Sequence, residues 1–173
     1  MVFNSLTYLL LLCIVVFLYW NISYYYRFFL IFLSSLIFYG FWKIEFIPLL
    51  LFSTFLDWWI GLNMVNLTGK KRKYLLILSL TVNLGILFFF KYLIFFTENT
   101  IGLFNFFDIK IDPIVFKIIL PLGISFYTFQ TISYTVDVYK NFIKPEKSFI
   151  IYACYVTFFP QLIAGPILRA KEV

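Results

Sequence analysis

The sequence contains no histidine. The side chain most often used as a general base near neutral pH is therefore missing, and so is the H-E-x-x-H zinc motif. Only two cysteines occur, Cys13 and Cys154, and both lie inside apolar runs. That count and placement support neither a disulfide framework nor a zinc site. The glycine patterns that cradle nucleotides, G-x-x-x-x-G-K-[ST] and G-x-G-x-x-G, do not occur, and neither does the G-x-S-x-G nucleophile elbow. Ser125, Thr131 and Ser133 are hydroxyls with no base in view, so they read as helix-packing groups rather than nucleophiles. Charge is scarce as well, at 13% of 173 residues, against about 25% in soluble domains. No internal repeat and no dividing linker appears, so residues 1–173 read as a single membrane domain.

What the chain does have is apolar surface: 63% of its residues are hydrophobic and 24% aromatic. A soluble chain of this length cannot hide so much of it in one core, whereas lipid removes the need. The backbone must then satisfy its own polar groups within each segment, which selects helices. The expected fold is an all-α, polytopic transmembrane helical bundle with broken or re-entrant segments. Measured against the ~20 residues a helix needs to span, the candidate spans are Leu6–Trp20, Phe28–Trp42, Ile44–Leu62, Tyr74–Phe96, Pro113–Val138 and Ser148–Leu168. Trp20, Trp42, Trp58 and Trp59 sit at or near span ends, where aromatic belts belong. Pro113, Pro121 and Gly123 interrupt the fifth run, and Pro160, Gly165 and Pro166 the sixth. The first run is expected to be retained, because Met1–Leu10 has no Lys or Arg and no A-x-A-like cleavage site.

The net charge of +6 is carried by short clusters between apolar runs, which excludes a nucleic-acid-binding face. With the N-terminus outside, Arg27, Lys70, Lys71, Arg72, Lys73, Lys140, Lys144 and Lys147 all fall in cytoplasmic loops. The opposite loops carry Lys43 and Lys110, with Glu98, Asp108 and Asp112 in the Thr97–Asp112 loop. The positive-inside rule thus predicts a multi-pass protein of the bacterial plasma or inner membrane with its N-terminus outside. The basic run Gly69–Lys73 is topogenic on this reading, and Asn21-Ile22-Ser23 and Asn66-Leu67-Thr68 are chance matches to the glycosylation pattern.

Ionisable groups inside spans are functional hypotheses by default. Asp57 and Lys91 are expected to lie roughly 15 Å apart in depth, too far for an ion pair. Lys91 snorkels to its interface on the plain reading. Asp57 is either an interfacial anchor or a polar group facing the bundle. Asn83 is expected to bond to a neighbouring helix, and Asp137 to pair with Lys140 at i+3.

Two stretches are more specific than composition. One is Leu120-Pro121-Leu122-Gly123-Ile124-Ser125-Phe126-Tyr127-Thr128-Phe129-Gln130-Thr131-Ile132-Ser133-Tyr134, followed by Val136-Asp137-Val138-Tyr139-Lys140. The other is Phe158-Phe159-Pro160-Gln161-Leu162-Ile163-Ala164-Gly165-Pro166-Ile167-Leu168-Arg169. Both resemble signature segments of the membrane-bound O-acyltransferase superfamily, above all the bacterial alginate O-acetyltransferases and the D-alanine transfer proteins of teichoic acids. Met1-Val2-Phe3-Asn4-Ser5 and Phe38-Tyr39-Gly40-Phe41-Trp42 fit the alginate-type members too, so the resemblance runs along essentially the whole chain.

The resemblance implies an enzyme that takes an acyl group, acetyl above all, from a cytoplasmic donor such as acetyl-CoA or an acyl carrier. It passes the group through a tunnel to hydroxyls of an extracytoplasmic polysaccharide such as alginate, with membrane lipid around it and partner proteins of an acetylation complex beside it. No bound cofactor and no metal is expected. The family's general base is a histidine, which this chain lacks. The chain is therefore expected to be the N-terminal part of such an enzyme (a fragment, a truncated gene or a split frame), with no catalytic residue of its own and no activity alone. Gly123, Ser125, Gln130, Pro160, Gln161, Gly165 and Pro166 match the family's motifs and are the expected substrate-channel residues. Broken backbone at membrane depth is tolerated only where protein buries it or a wet cavity meets it, which suits a tunnel wall; the plain alternative is that the prolines kink a packed helix. A rival reading is a complete small non-enzymatic membrane protein, such as a transporter subunit or an export-complex scaffold. The DNA downstream of Val173 discriminates between the two.

Overall fold

The computed structural model of the chain describes residues 6–93, 95, 96, 99, 119–162 and 165. Among these residues every regular element is helical. The chain is an all-α membrane protein. The helices are α1 (Leu6–Asn21), α2 (Tyr24–Lys43), α3 (Ile47–Met64), α4 (Gly69–Leu87), α5 (Ile124–Tyr139), α6 (Phe149–Thr157) and the single turn α7 (Phe159–Leu162). A 3-10 turn, Ile44–Phe46, joins α2 to α3, and a π turn, Phe88–Tyr92, extends α4. Two helical stretches, Tyr24–Met64 and Gly69–Tyr92, are long and apolar enough to cross a membrane.

Lys43 divides the first stretch. Its backbone is extended (φ −159°, ψ 115°), and Pro48 follows in the first turn of α3, where its missing N–H costs nothing. Aromatic contacts show the reversal. Phe149, which opens α6, packs against Phe32 of α2 and against Phe55 and Trp58 of α3, which lie at similar distances before and after the Ile44–Phe46 turn. The two helices are therefore antiparallel.

Polar groups face inward and apolar ones outward. Ser34, Ser35, Ser53, Thr54, Asp57, Ser79, Asn83, Thr128, Gln130, Thr131, Thr135 and Thr157 are all buried, while Leu6, Leu10, Phe17, Tyr25 and Phe41 are each more than half exposed. That inversion belongs to a helix bundle in lipid, where small polar side chains join the helices and the tails solvate the rest. Several hydroxyls bond to a carbonyl of their own helix: Ser34 to Leu30, Ser35 to Ile31, Thr54 to Leu50 and Thr157 to Ala153, at 2.7–2.8 Å.

The centre of the bundle is a polar clamp between α3, α4 and α5. Leu75, Ser79, Asn83 and Leu87 recur every four residues on α4, so they share one face. That face meets the Ser53–Asp57 side of α3 and the Thr131–Thr135 side of α5. Ser79 Oγ lies 2.5 Å from Asp57 Oδ1, and Asn83 Nδ2 donates to Asp57 Oδ2 at 2.7 Å. Ser53 Oγ donates to Asn83 Oδ1 at 2.7 Å. Asn83 thus bonds across helices as expected, and Asp57 takes the bundle-facing of its two readings. Lys91 lies elsewhere, with its Nζ 3.5 Å from Ser125 Oγ. Asp137 forms no ion pair with Lys140; among the described residues the ion pair is Lys43–Glu45. The α5 helix ends one residue earlier, and its last carbonyls accept from Lys140, Asn141 and Phe142 amides instead.

The sixth run is broken, but ahead of the expected interval. The sequence predicts helix through Phe159 and an interruption between Phe159 and Pro166. The helix instead stops at Thr157, and Phe158 (ψ 107°) leaves it. Placing the break there lets Pro160 enter the first turn of α7, where no N–H is needed. The amides of Gln161 and Leu162 then both bond to Phe158 O at 3.0 Å. Pro113, Pro166 and Arg169 lie outside the described residues.

Candidate functional site

The two motif stretches meet. Pro121-Leu122-Gly123 forms the turn that starts α5, and Gly123 adopts a left-handed conformation (φ 67°, ψ 11°). A Cβ on Gly123 would lie 2.6 Å from Leu162 O and 3.1 Å from Leu162 Cγ. Only glycine therefore lets the α5 turn sit directly on the backbone of α7. Tyr39 Oη donates to Leu122 O at 3.2 Å and ties the same turn to α2. From the other motif, Phe159 N donates to Ser35 Oγ at 3.3 Å. Phe159 also packs against Phe38 and Tyr8, with centroids at 5.6 and 6.1 Å, contacts that add stabilisation beyond area burial. The junction thus draws α1, α2, α5 and α7 to one point.

Beside it opens a cavity of about 470 Å³, within the range of small-molecule sites. Phe28 and Ile31 of α2, Tyr134 of α5, Ile151, Tyr152, Cys154 and Tyr155 of α6, and Phe158 line it. The loop residues Ile143, Lys144 and Glu146, and Gln161 of α7, complete the lining. The walls are mostly aromatic and aliphatic, so the space suits a slender, largely apolar molecule.

Hydrogen bonds fix the loop side of the cavity. Trp58 Nε1 donates to Glu146 O at 3.0 Å, Glu146 N donates to Tyr134 Oη at 3.2 Å, and Ser148 N donates to Glu146 Oε1 at 2.8 Å. On the α6 side, Cys154 Sγ–H donates to Phe28 O at 3.0 Å, which fixes α6 against α2. The Tyr152 and Tyr134 rings are 4.4 Å apart. Tyr152 Oη is buried and has no hydrogen-bond partner among the described residues.

The seven channel residues expected from the motifs separate into different places. Gln161 lines the cavity. Gly123 forms the junction, and Pro160 shapes α7. Gln130 is fully buried and donates from Nε2 to Tyr155 O at 2.7 Å, holding the backbone behind a cavity wall. Ser125 sits on the first turn of α5 beside Lys91. Gly165 N bonds to Gln161 O at 2.9 Å, and a Cβ there would meet Gln161 Cγ at 2.3 Å, so this position too needs glycine for close approach. Pro166 lies outside the described residues. Sequence reasoning missed Tyr134, Tyr152, Tyr155, Lys144 and Glu146. The Tyr152/Tyr155 spacing, three residues apart on one helix face, was the available signal.

These features define a helical membrane protein with an inward-facing polar interior and a side cavity lined in part by a broken helix. Over its full length the chain is 37% identical to a probable alginate O-acetylase of Pseudomonas putida. Over 86% of its length it is 35% identical to one from Azotobacter vinelandii. It is also 37% identical over 82% of its length to a peptidoglycan O-acetyltransferase of Helicobacter pylori. It spans about a third of the length of these relatives: 36%, 30% and 31% respectively. No family model matches the chain, and no solved structure matches it. The chain belongs to the membrane-bound O-acyltransferase superfamily, in the branch of the alginate O-acetylases.

Proposed function

We propose that this chain supplies the N-terminal scaffold and the donor passage of a bacterial membrane O-acyltransferase. The complete enzyme moves an acyl group, acetyl above all, from a cytoplasmic thioester to hydroxyls of an extracytoplasmic polysaccharide. Alginate is the favoured acceptor, because relatives named for it match the whole chain. The donor is acetyl-CoA or an acyl carrier, and further proteins of an acetylation complex work beside the enzyme.

One observation carries this reading: a single cavity is lined both by Lys144 of the basic 140–147 loop and by Gln161 of the broken helix. The chain is multi-pass with its N-terminus outside, and the end of the bundle that carries this loop is cytoplasmic. Arg72 donates to Val138 O at 2.9 Å and to Asn141 Oδ1 at 2.6 Å, which draws the Lys70–Lys73 run to the Lys140–Lys147 loop. Phe32 packs on Phe149, which brings the Arg27 end of α2 to the same side. A donor bearing phosphates is attracted to such an end. Its thioester arm then enters walls that exclude water, so hydrolysis does not compete with transfer. The acceptor oxygen attacks the thioester carbonyl, the thiol leaves, and a base takes the hydroxyl proton. The family's histidine base has no counterpart in this sequence, so the chain alone is inactive.

The test fills the cavity. In a full enzyme carrying this segment, Ile151→Trp lowers polymer O-acetylation by about tenfold or more, a barrier change of ~1.4 kcal/mol, with unfolding unchanged. Full activity with a folded variant sinks the donor-passage role. Orientation is tested in a background lacking Cys13 and Cys154. An impermeant thiol reagent labels Asn105→Cys in intact cells and leaves Lys70→Cys unlabelled; the reverse pattern inverts the topology.

A further inference from the structure

Among the described residues one carboxyl is buried, and it does not line the cavity. Asp57 on α3 has no exposed surface. The polar groups that reach it are neutral: Ser79 Oγ at 2.5 Å, Asn83 Nδ2 at 2.7 Å, Thr135 Oγ1 at 3.3 Å and the Thr131 hydroxyl. The titratable groups facing it from the helices packed on α3 are Tyr134 of α5 and Tyr152 of α6. Both are phenols; α4 contributes only Ser79 and Asn83. Among the described residues no cation pairs with it.

The donors around it are mostly committed. Thr135 Oγ1 lies closer to Thr131 O, at 3.1 Å, than to the carboxyl. Thr131 Oγ1 is closer to Thr128 O, at 3.1 Å, than to Asn83 Oδ1, at 3.4 Å. Ser53 donates to Asn83 Oδ1. Asn83 Nδ2 gives one hydrogen to Ser79 O at 3.0 Å and the other to Asp57 Oδ2. An ionised carboxylate would thus have Ser79 and Asn83 as its close donors for about four lone-pair sites. It would also carry a full charge between three helices with no counter-ion, which is strongly unfavourable. One proton on Oδ1 gives the carboxyl a donor of its own: the Ser79–Asp57 hydrogen bond then runs in reverse, from Oδ1–H to Ser79 Oγ, while Oδ2 still accepts from Asn83.

We propose that Asp57 is a proton-binding site, a carboxyl that takes up one proton and uses it as a hydrogen bond joining α3 to α4. Removing that proton places an uncompensated charge where α3, α4 and α5 meet. The site therefore makes the packing of the bundle depend on its proton occupancy, independently of the donor passage.

The test uses the whole chain purified in lipid nanodiscs at neutral pH. The infrared difference between wild type and Asp57→Asn is expected to show loss of a protonated-carboxyl carbonyl band. The variant keeps its unfolding temperature, because an amide can donate to Ser79 and accept from Asn83 as the acid does. If the lost band is that of an ionised carboxylate, the proposal is overturned. It is equally overturned if sodium at fixed pH removes the band, or raises the unfolding temperature of wild type but not of Asp57→Asn, since the site then takes a metal cation. Should Asp57→Asn not fold, carbon NMR of wild type labelled at the aspartate carboxyls decides. One signal stays at the protonated position at neutral pH and moves in Ser79→Ala. All signals at the ionised position overturn the proposal.

Discussion

The polar clamp and the cavity lie side by side in one bundle, share Tyr134 and Tyr152 as near neighbours, and are built on opposite principles. In the clamp, six polar side chains from three helices fill the space, with Asp57, Ser79, Asn83, Thr131 and Ser53 all at 0–1% exposure. In the cavity, rings and aliphatic chains stand back from one another around about 470 Å³, and the hydroxyl of Tyr152 has no partner among the described residues. In lipid, apolar contact alone does not drive helices together, because the tails are equally apolar. Polar groups that interlock therefore close a contact, and apolar walls without such groups leave room. The two regions differ in what the hydrogen bonds join: in the clamp side chain meets side chain across helices, whereas around the cavity side chains bond to backbone and leave the space between the rings open.

Substitutions that move a residue from one regime to the other sharpen the contrast, and the largest effect is expected where the two regions are fastened together. Gly123→Val forces a branched side chain into a left-handed backbone and onto Leu162 O, and costs about 3 kcal/mol. Unfolding in detergent, followed by tryptophan fluorescence, measures it; a melting curve like that of wild type would mean the two motif turns do not touch. Asn83→Leu removes the bonds to Asp57 and Ser53 at the clamp's centre and costs about 1–2 kcal/mol. An unchanged midpoint would show that the clamp is not what joins α3 to α4. Thr135→Val keeps the shape but drops a peripheral hydroxyl, and a loss of about 0.6 kcal/mol is expected; a cost as large as that of Asn83→Leu would move the clamp's centre towards α5. Tyr152→Phe deletes the unpaired hydroxyl on the cavity wall, and its effect stays within about 0.5 kcal/mol. A marked destabilisation would mean that this wall, like the clamp, is held by hydrogen bonding.

Much of the scaffold was legible. The α1 helix matches its predicted run to within a residue, because Asn21 and Ser23 stop an uninterrupted apolar stretch. The α4 helix begins five residues ahead of its predicted run, at Gly69. Lys70–Lys73 were read as loop for their charge, yet long basic side chains tolerate a helix end. The break in the sixth run was legible from its prolines, but not its position. Proline forbids helix before it more strictly than after it, and the backbone yielded at Phe158. The cavity was hardly legible. Its lining comes from four helices and a loop separated by as many as 133 positions, from Phe28 to Gln161, and no local pattern connects them. Gln130 shows the same limit from another side: its match to the motif was visible, but its bond to Tyr155 O was not.

Composition and the lengths of its apolar runs by themselves determined that this protein is helical and lives in lipid. Those properties follow from each segment's own need to satisfy its backbone and place its apolar faces, and that need is written locally. Which polar residues would meet was settled only by tertiary structure. Asp57 was readable as either anchor or interior group until α4 brought Ser79 and Asn83 against it. Gly123 was a turn residue until Leu162 O was found where its Cβ would be. Both facts depend on helix rotation and crossing, which arise from packing between segments far apart in the chain, and a single segment carries no record of the partner it will face.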